Sequence, residues 1–280
     1  MKRFLIAVSA AALLLGSCTG QKSQTAEGAA APDAVADSAD LMPMDSLERI
    51  LVETPTPKAM DQLFDDFLFN FAANKKLQTD RIVFPLTVVR AGETSHVEKR
   101  DWKMERFFMK QGYYTLMFND DAQMELMKDT AVSQAIVQKI TLTPGTVKSY
   151  VFSRIKGAWM LREMREGRVE DDVNASFIAF FRQFATSMDY QRRCLSETVK
   201  FVGPDPDDDN SVMEGILTAD TWEAFAPQLP DKMIYNIIYG APQAETSHKI
   251  FILRGISNGL ELELRFKKRK GHWQLYKMTT

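Results

Sequence analysis

Cysteine and histidine are scarce in this chain, with two cysteines and three histidines in 280 residues. No Cys-x-x-Cys pair, His-Glu-x-x-His helix, nucleophile elbow or phosphate-cradling glycine loop occurs, so the common signatures of metal, hydrolase and nucleotide chemistry are missing. An excess of one charge is missing too. The chain has 35 basic and 37 acidic residues, which argues against the basic face that a nucleic-acid partner requires. No apolar run is long enough to cross a bilayer as a helix, since residues 4–15 make only a short one.

That short run has meaning where it stands. Lys2 and Arg3 precede it, and Leu15-Gly16-Ser17-Cys18 follows it. A basic start, a brief apolar core and small residues before a cleavage point read as a secretory signal over residues 1–17. The cysteine at the cleavage point resembles a bacterial lipobox, which implies that Cys18 becomes the lipidated first residue of the mature protein. Acyl chains then hold it to a membrane, each buried methylene contributing about 0.8 kcal/mol. Losing Lys2 and Arg3 leaves 33 basic against 37 acidic residues, a net charge of −4. Thr19 follows the cysteine; by analogy with enterobacterial lipoproteins, the absence of Asp there points to the outer membrane. The absence of an acidic run points to the periplasmic side. With Cys18 acylated, Cys194 has no intramolecular disulfide partner, and it reads as a buried, inert thiol.

Residues 18–43 are rich in Ala, Asp, Ser, Gln and Gly and poor in large apolar side chains. Such a segment cannot bury enough surface to fold, so it reads as a tether with a reach of roughly 25–30 Å. Residues 44–56 read as a leading helix or linker, with Leu47, Ile50 and Leu51 on one face.

The rest of the chain repeats itself. An offset of 113 pairs Phe64, Phe67, Phe71, Ala72, Gln78 and Val89 with Phe177, Phe180, Phe184, Ala185, Gln191 and Val202. An offset of 114 pairs Phe152, Lys156, Gly157, Trp159, Leu161 and Met164 with Phe266, Lys270, Gly271, Trp273, Leu275 and Met278. Between these blocks Trp102 matches Trp222, and an offset of 121 brings Tyr114 and Phe118 onto Tyr235 and Tyr239. A repeat of this length is a small domain rather than a solenoid unit. Two homologous domains are expected, 57–168 and 172–280. Each opens with a helix whose phenylalanines fall on one face, continues through strands, and ends in a hairpin turned at Lys-Gly.

Helices followed by a curved, mostly antiparallel sheet form an α+β pattern. In length and order each domain resembles the nuclear transport factor 2-like, or cystatin-like, cone. The lipobox, the tether, the paired Phe helices and the paired Gly-x-Trp-x-Leu-x-x-Met endings make the chain similar to a family of uncharacterised Bacteroidetes-type lipoproteins. That resemblance implies the fold, an occasional pocket between helix and sheet, and no assigned activity. Relatives with this fold that are enzymes place Asp and His, or Tyr and Asp, inside the cone.

Candidate chemistry is thin. His96 and His248 each follow Glu-Thr-Ser but do not align in the repeat, and His272 adjoins the hairpin Gly271, so all three read as solvated. Asp65-Asp66 and Asp171-Asp172 read as helix-start or polar-face carboxylates. Asp205, Asp207 and Asp209 alternate as in a calcium loop, but Asn210 replaces the turn glycine and Ile216 the closing glutamate, leaving a weak metal candidate against a solvated turn. Lys267–Lys270 read as a solvated hairpin end, with an anionic lipid surface as the sharper use. The phenylalanine stripes read as core, with a pocket lining or domain interface as the alternatives. No cofactor is implied. The expected function is a non-enzymatic, envelope-anchored binding or scaffolding module for a protein, peptide or small apolar ligand. The alternative is a carrier or enzyme that uses one cone's cavity, which requires the two cavities to differ.

Overall fold

The computed structural model describes residues 58–205 and 208–280, with the side chains of 58, 209 and 210 outside that set. The expectations for Cys18, the tether, the leading helix and Asp207 lie outside the described residues.

The first half runs through helices α1 (Phe64–Ala73) and α2 (Lys75–Asp80), strands β1 (Ile82–Arg90), β2 (Glu93–Val97) and β3 (Tyr113–Phe118), helix α3 (Asp121–Glu125), and strands β4 (Gln134–Thr141), β5 (Thr146–Ile155) and β6 (Ala158–Arg168). The second half follows nearly the same order. It has α4 (Ala175–Phe184), α5 (Met188–Arg193), β7 (Leu195–Asp205), β8 (Asp208–Leu217), α6 (Trp222–Phe225), β9 (Met233–Tyr239), β10 (His248–Gly255), β11 (Glu261–Arg269) and β12 (His272–Thr279).

Local chemistry repeats in the two halves. Phe64, Phe67 and Phe71 of α1 are buried, and Phe64 meets Phe152 edge-on at 5.3 Å between ring centroids. Phe177 of α4 meets Phe266 at the same 5.3 Å. The stripes are core, as their spacing indicates. Asn74 caps α2 and Ser187 caps α5 through side chains that accept from backbone N–H groups. The closing hairpins turn at Lys156-Gly157 and Lys270-Gly271, where both residues of each pair have positive φ, as a two-residue type I′ turn demands. Gln78 and Gln191 are buried, and each accepts the indole N–H of its half's tryptophan, Trp102 at 3.2 Å and Trp222 at 2.8 Å.

The strands form two mixed sheets, ordered β2-β1-β6-β5-β4-β9 and β8-β7-β12-β11-β10-β3. Pairs β1–β6 and β7–β12 are parallel and the others antiparallel. The orders are the same except that each sheet ends on the other half's strand. Strand β9 completes the first sheet and β3 the second. These exchanged strands feed both cores. Tyr114, Leu116 and Phe118 of β3 enter the first cluster and Met117 the second. Tyr235, Ile237 and Tyr239 of β9 enter the first cluster and Ile234 the second.

The registers revise one sequence pairing. Tyr235 pairs with Lys139 in the first sheet, and Thr115 pairs with Leu253 in the second. Lys139 and Leu253 are equivalent through their neighbours Lys148 and Leu262, 114 residues apart. Thr115 is therefore the counterpart of Tyr235. The offset is 120, as for Trp102 and Trp222, not 121. A one-residue slip reverses which face each side chain occupies, so identity between tyrosines was the wrong guide here.

A buried polar chain joins the exchanged strands. The Met117 N–H donates to Asn236 Oδ1 at 2.8 Å, and Asn236 Nδ2 donates to Gln138 Oε1 at 3.0 Å. Gln138 Nε2 donates to Asp172, whose other oxygen accepts from the Asn174 N–H. Lys249 Nζ donates to Asn174 Oδ1 at 2.7 Å and to Asn119 Oδ1 at 2.6 Å. Lys249 stands at the register that the first half fills with Ala135, since the two pair with the equivalent Phe266 and Phe152.

Candidate functional site

The two inner sheet faces can be compared row by row, because a direct cross-strand pair points to one side of a sheet. The deep row of the first sheet is Ile237, Val137, Tyr150, Met164 and Val88. Its counterpart is Met117, Phe251, Leu264, Met278 and Phe201. Both rows are buried. One row further out, toward the open end, the halves part. The first sheet carries Tyr235, Lys139, Lys148, Glu166 and Arg90 across five strands. The repeat offsets place Thr115, Leu253, Leu262, Thr280 and Gly203 there in the second half. Every charged side chain in that row belongs to the first half.

Four members of this row, Lys139, Lys148, Glu166 and Arg90, line an open groove of about 770 Å³, together with Thr141, Thr146, Arg165, Arg168 and Asp171 among others. Lys139 separates it from a second cavity of about 310 Å³, lined by Met104, Glu105, Phe107, Met233 and Tyr235 among others. Glu166 serves two cations, Arg90 at 2.6 Å and Lys148 at 3.7 Å. The Lys148 ammonium also lies 5.3 Å from the centre of the Tyr150 ring. Lys139 is half-buried directly opposite Lys148, and among the described residues no carboxylate forms an ion pair with it.

Glu105 is held on every side. Its backbone N–H donates to Gln78 Oε1 and its carbonyl accepts from Gln78 Nε2. Tyr150 OH donates to Glu105 Oε2 at 2.6 Å, and the Phe107 N–H donates to Oε1. Burial and then the Glu105 charge push the Tyr150 hydroxyl far above its ordinary pKa, so it stays a donor. Burial and then Glu105 raise Tyr235 likewise. Phe107 has φ +47°, a strained conformation for a non-glycine residue. The offset of 120 places Phe225 opposite Glu105 in the second half, so this carboxylate too is particular to the first.

The residues singled out from sequence fall elsewhere. His96 lies on edge strand β2 of the first sheet, and His248 starts β10 of the second; both are exposed, as is His272. Asp205 is half-buried and accepts from Ser211 Oγ at 3.2 Å, and the side chains of Asp207 and Asp209 lie outside the described residues. Among the described residues no group of three His, Cys, Asp or Glu side chains could hold a metal. Cys194 is half-buried, and burial raises its thiol pKa. Two carboxylates depart from the helix-start reading. Asp65 accepts the Tyr239 hydroxyl, and burial raises its pKa. Asp172 sits in the polar chain between the exchanged strands.

The charged row escaped sequence reading because it gathers one or two residues from each of five strands. A signal did exist: at an offset of 114, Lys139 and Lys148 face Leu253 and Leu262 inside strands that otherwise match in apolar pattern.

With two mixed sheets and few helices, the molecule is an α+β protein. It is similar to the crystal structure of an NTF2-like protein from Bacteroides fragilis, with 40% identity, a TM-score of 0.73, and coverage of 80% of this chain and 98% of that one. The chain belongs to the family defined by a domain of unknown function, DUF4348, whose match spans residues 43–280. No curated protein matches it.

Proposed function

We propose that this chain is a small-molecule-binding protein of the cell envelope that uses the cavity of one half, the groove of the first, as its ligand site. The supporting observation is the asymmetry of the duplication. Equivalent rows carry Tyr, Lys, Lys, Glu and Arg in one half, the last four lining an open groove, and Thr, Leu, Leu, Thr and Gly in the other. A cavity with convergent polar groups is the usual form of a binding site. In this reading the two halves descend from one cone-like unit, of which one copy kept a site and the other became scaffold. The signal over residues 1–17 and the lipobox at Cys18 support a lipid-anchored protein of Bacteroidetes type, at the outer membrane and facing the periplasm. The near-neutral charge gives no reason to add nucleic acid as a partner.

Two experiments test this. Changing Cys18 to Ser is expected to release the protein from the membrane fraction, and unchanged fractionation would refute the anchor. Thr141 is half-buried and lines the groove, so Thr141→Trp should obstruct it. Mass spectrometry of small molecules released from envelope-purified protein is expected to find a ligand in the wild type that the variant lacks. Identical extracts from both proteins would count against the groove.

A further inference from the structure

We propose that the groove takes an amphipathic anion: an apolar body lying against Met104, Phe107, Met233 and Tyr235, with one carboxylate or similar oxyanion between Lys139 and Lys148. The inference rests on the groove being the ligand site and adds the ligand's chemistry.

Three observations carry it. Lys139 and Lys148 are direct cross-strand partners, and like charges so placed repel and destabilise a sheet. Their one nearby carboxylate, Glu166, is shared with the Arg90 guanidinium, which approaches it more closely than Lys148 does. The row thus sets three cations against one carboxylate, a deficit of two negative charges, at a place where five lining cations (Arg90, Lys139, Lys148, Arg165 and Arg168) face two lining carboxylates (Glu166 and Asp171). Arg165 and Arg168 are matched by Glu163 and Glu170 beside the groove, so the deficit is local to the lysine pair. Second, Lys139 lines both cavities. An anion on its ammonium therefore has a recess of mixed polarity within reach on one side, whose apolar part is Met104, Phe107, Met233 and the Tyr235 ring, the methionines adapting to varied shapes. Glu105 also lines that recess, and the hydrogen bonds from Tyr150 OH and the Phe107 N–H leave its carboxylate repelling an anion, so the oxyanion belongs at the lysine pair and only the apolar body in the recess. Third, the second half builds the same strand pair with no charge at these positions, since Leu253 and Leu262 stand where the first half has its lysines.

That last comparison supplies the test. The full-length chain carrying Cys18→Ser, to keep it free of lipid, is titrated calorimetrically with decanoate, 1-decanol and acetate below any micelle concentration. A second protein adds Lys139→Leu and Lys148→Leu, which should fold because the other half tolerates leucine at both positions. Decanoate is expected to bind at least about tenfold more tightly than decanol, a discrimination of the size that one charge-assisted contact supplies. Acetate should bind far more weakly than either. In the double-leucine protein decanoate and decanol should bind alike. Equal binding of the two by the lysine-bearing protein overturns the anionic class and leaves the groove intact as a site. Discrimination that survives the leucine substitutions overturns the lysine pair as its cause. No heat from decanoate overturns the ligand class, whereas the groove itself is judged by the Thr141→Trp comparison, which does not depend on charge. Binding to phosphatidylglycerol vesicles without binding to free decanoate overturns it in favour of a membrane surface.

Discussion

Lys249 is nearly fully buried, and its ammonium rests on two amide oxygens, those of Asn119 and Asn174. Burial lowers its pKa to about 8, against the pull of Glu245 and Asp172. In the unfolded chain a lysine titrates near 10.4, so between about pH 8 and 10.4 the unfolded state holds more protons. Stability due to this residue therefore rises with pH across that window. Lys249→Met keeps the side-chain length and removes the donor, leaving both amide oxygens unsatisfied. At pH 7 it is expected to cost about 1–3 kcal/mol. The gap between wild type and variant should widen from pH 8 to 10, read by urea unfolding at each pH. A gap that narrows with alkali would contradict the burial argument. Asp65 shows how context overrides local sequence at the same scale. It sits in the first turn of α1, where a carboxylate ordinarily faces solvent and favours the helix dipole. Here it is drawn inward by the hydroxyl of Tyr239, 174 residues away along the chain.

Among the elements, strands β4 and β5 carry the conflict that marks the site. Their pattern is apolar inward until Lys139 and Lys148, which meet face to face at the open end. Proteins break local rules of this kind chiefly at functional positions. Replacing both lysines with leucine removes the repulsion and adds apolar contact, while Glu166 keeps Arg90. The double variant is expected to melt about 2–4 °C higher than wild type, the shift that roughly 1 kcal/mol produces in a chain of this size. Scanning calorimetry reads this directly. A lower melting temperature would mean that the lysines support the fold. The β-hairpin elements behave more simply, since Lys-Gly turns and alternating Trp and Leu residues dictate them locally.

The exchange of β3 and β9 governs the whole molecule. Neither sheet is complete without a strand from the other half, and both exchanged strands place side chains in two cores. The halves should therefore unfold together. Trp102 and Trp159 report on the first half, Trp222 and Trp273 on the second. Phe71→Ala in α1 is expected to cost about 3–5 kcal/mol. In proteins that retain only one half's tryptophans, it should lower the urea midpoint of both signals equally. A shift confined to the first half's tryptophans would show that the halves fold separately in spite of the shared strands.

Much of this molecule was legible along the chain. Helical spacing of phenylalanines, glycine turns and the repeated Gly-x-Trp-x-Leu-x-x-Met endings act over a few residues, so sequence alone determined the two phenylalanine-bearing helices, the closing hairpins and the repeated order. The partner of each strand was not legible. β3 and β9 present similar apolar edges, and pairing within a half or across halves satisfies the same backbone groups; only the competition of two complete cores decides between them. The repeat offset between β3 and β9 is 120 rather than the 121 that matching tyrosines indicates, for a related reason: a match of tyrosines carries no information about which face is buried. The candidate site depended on tertiary structure most of all. Arg90, Lys139, Lys148, Glu166 and Tyr235 are scattered over nearly 150 positions, and they become one row only when five strands align. Their lack of an added negative charge is a property of that alignment, which no stretch of sequence contains.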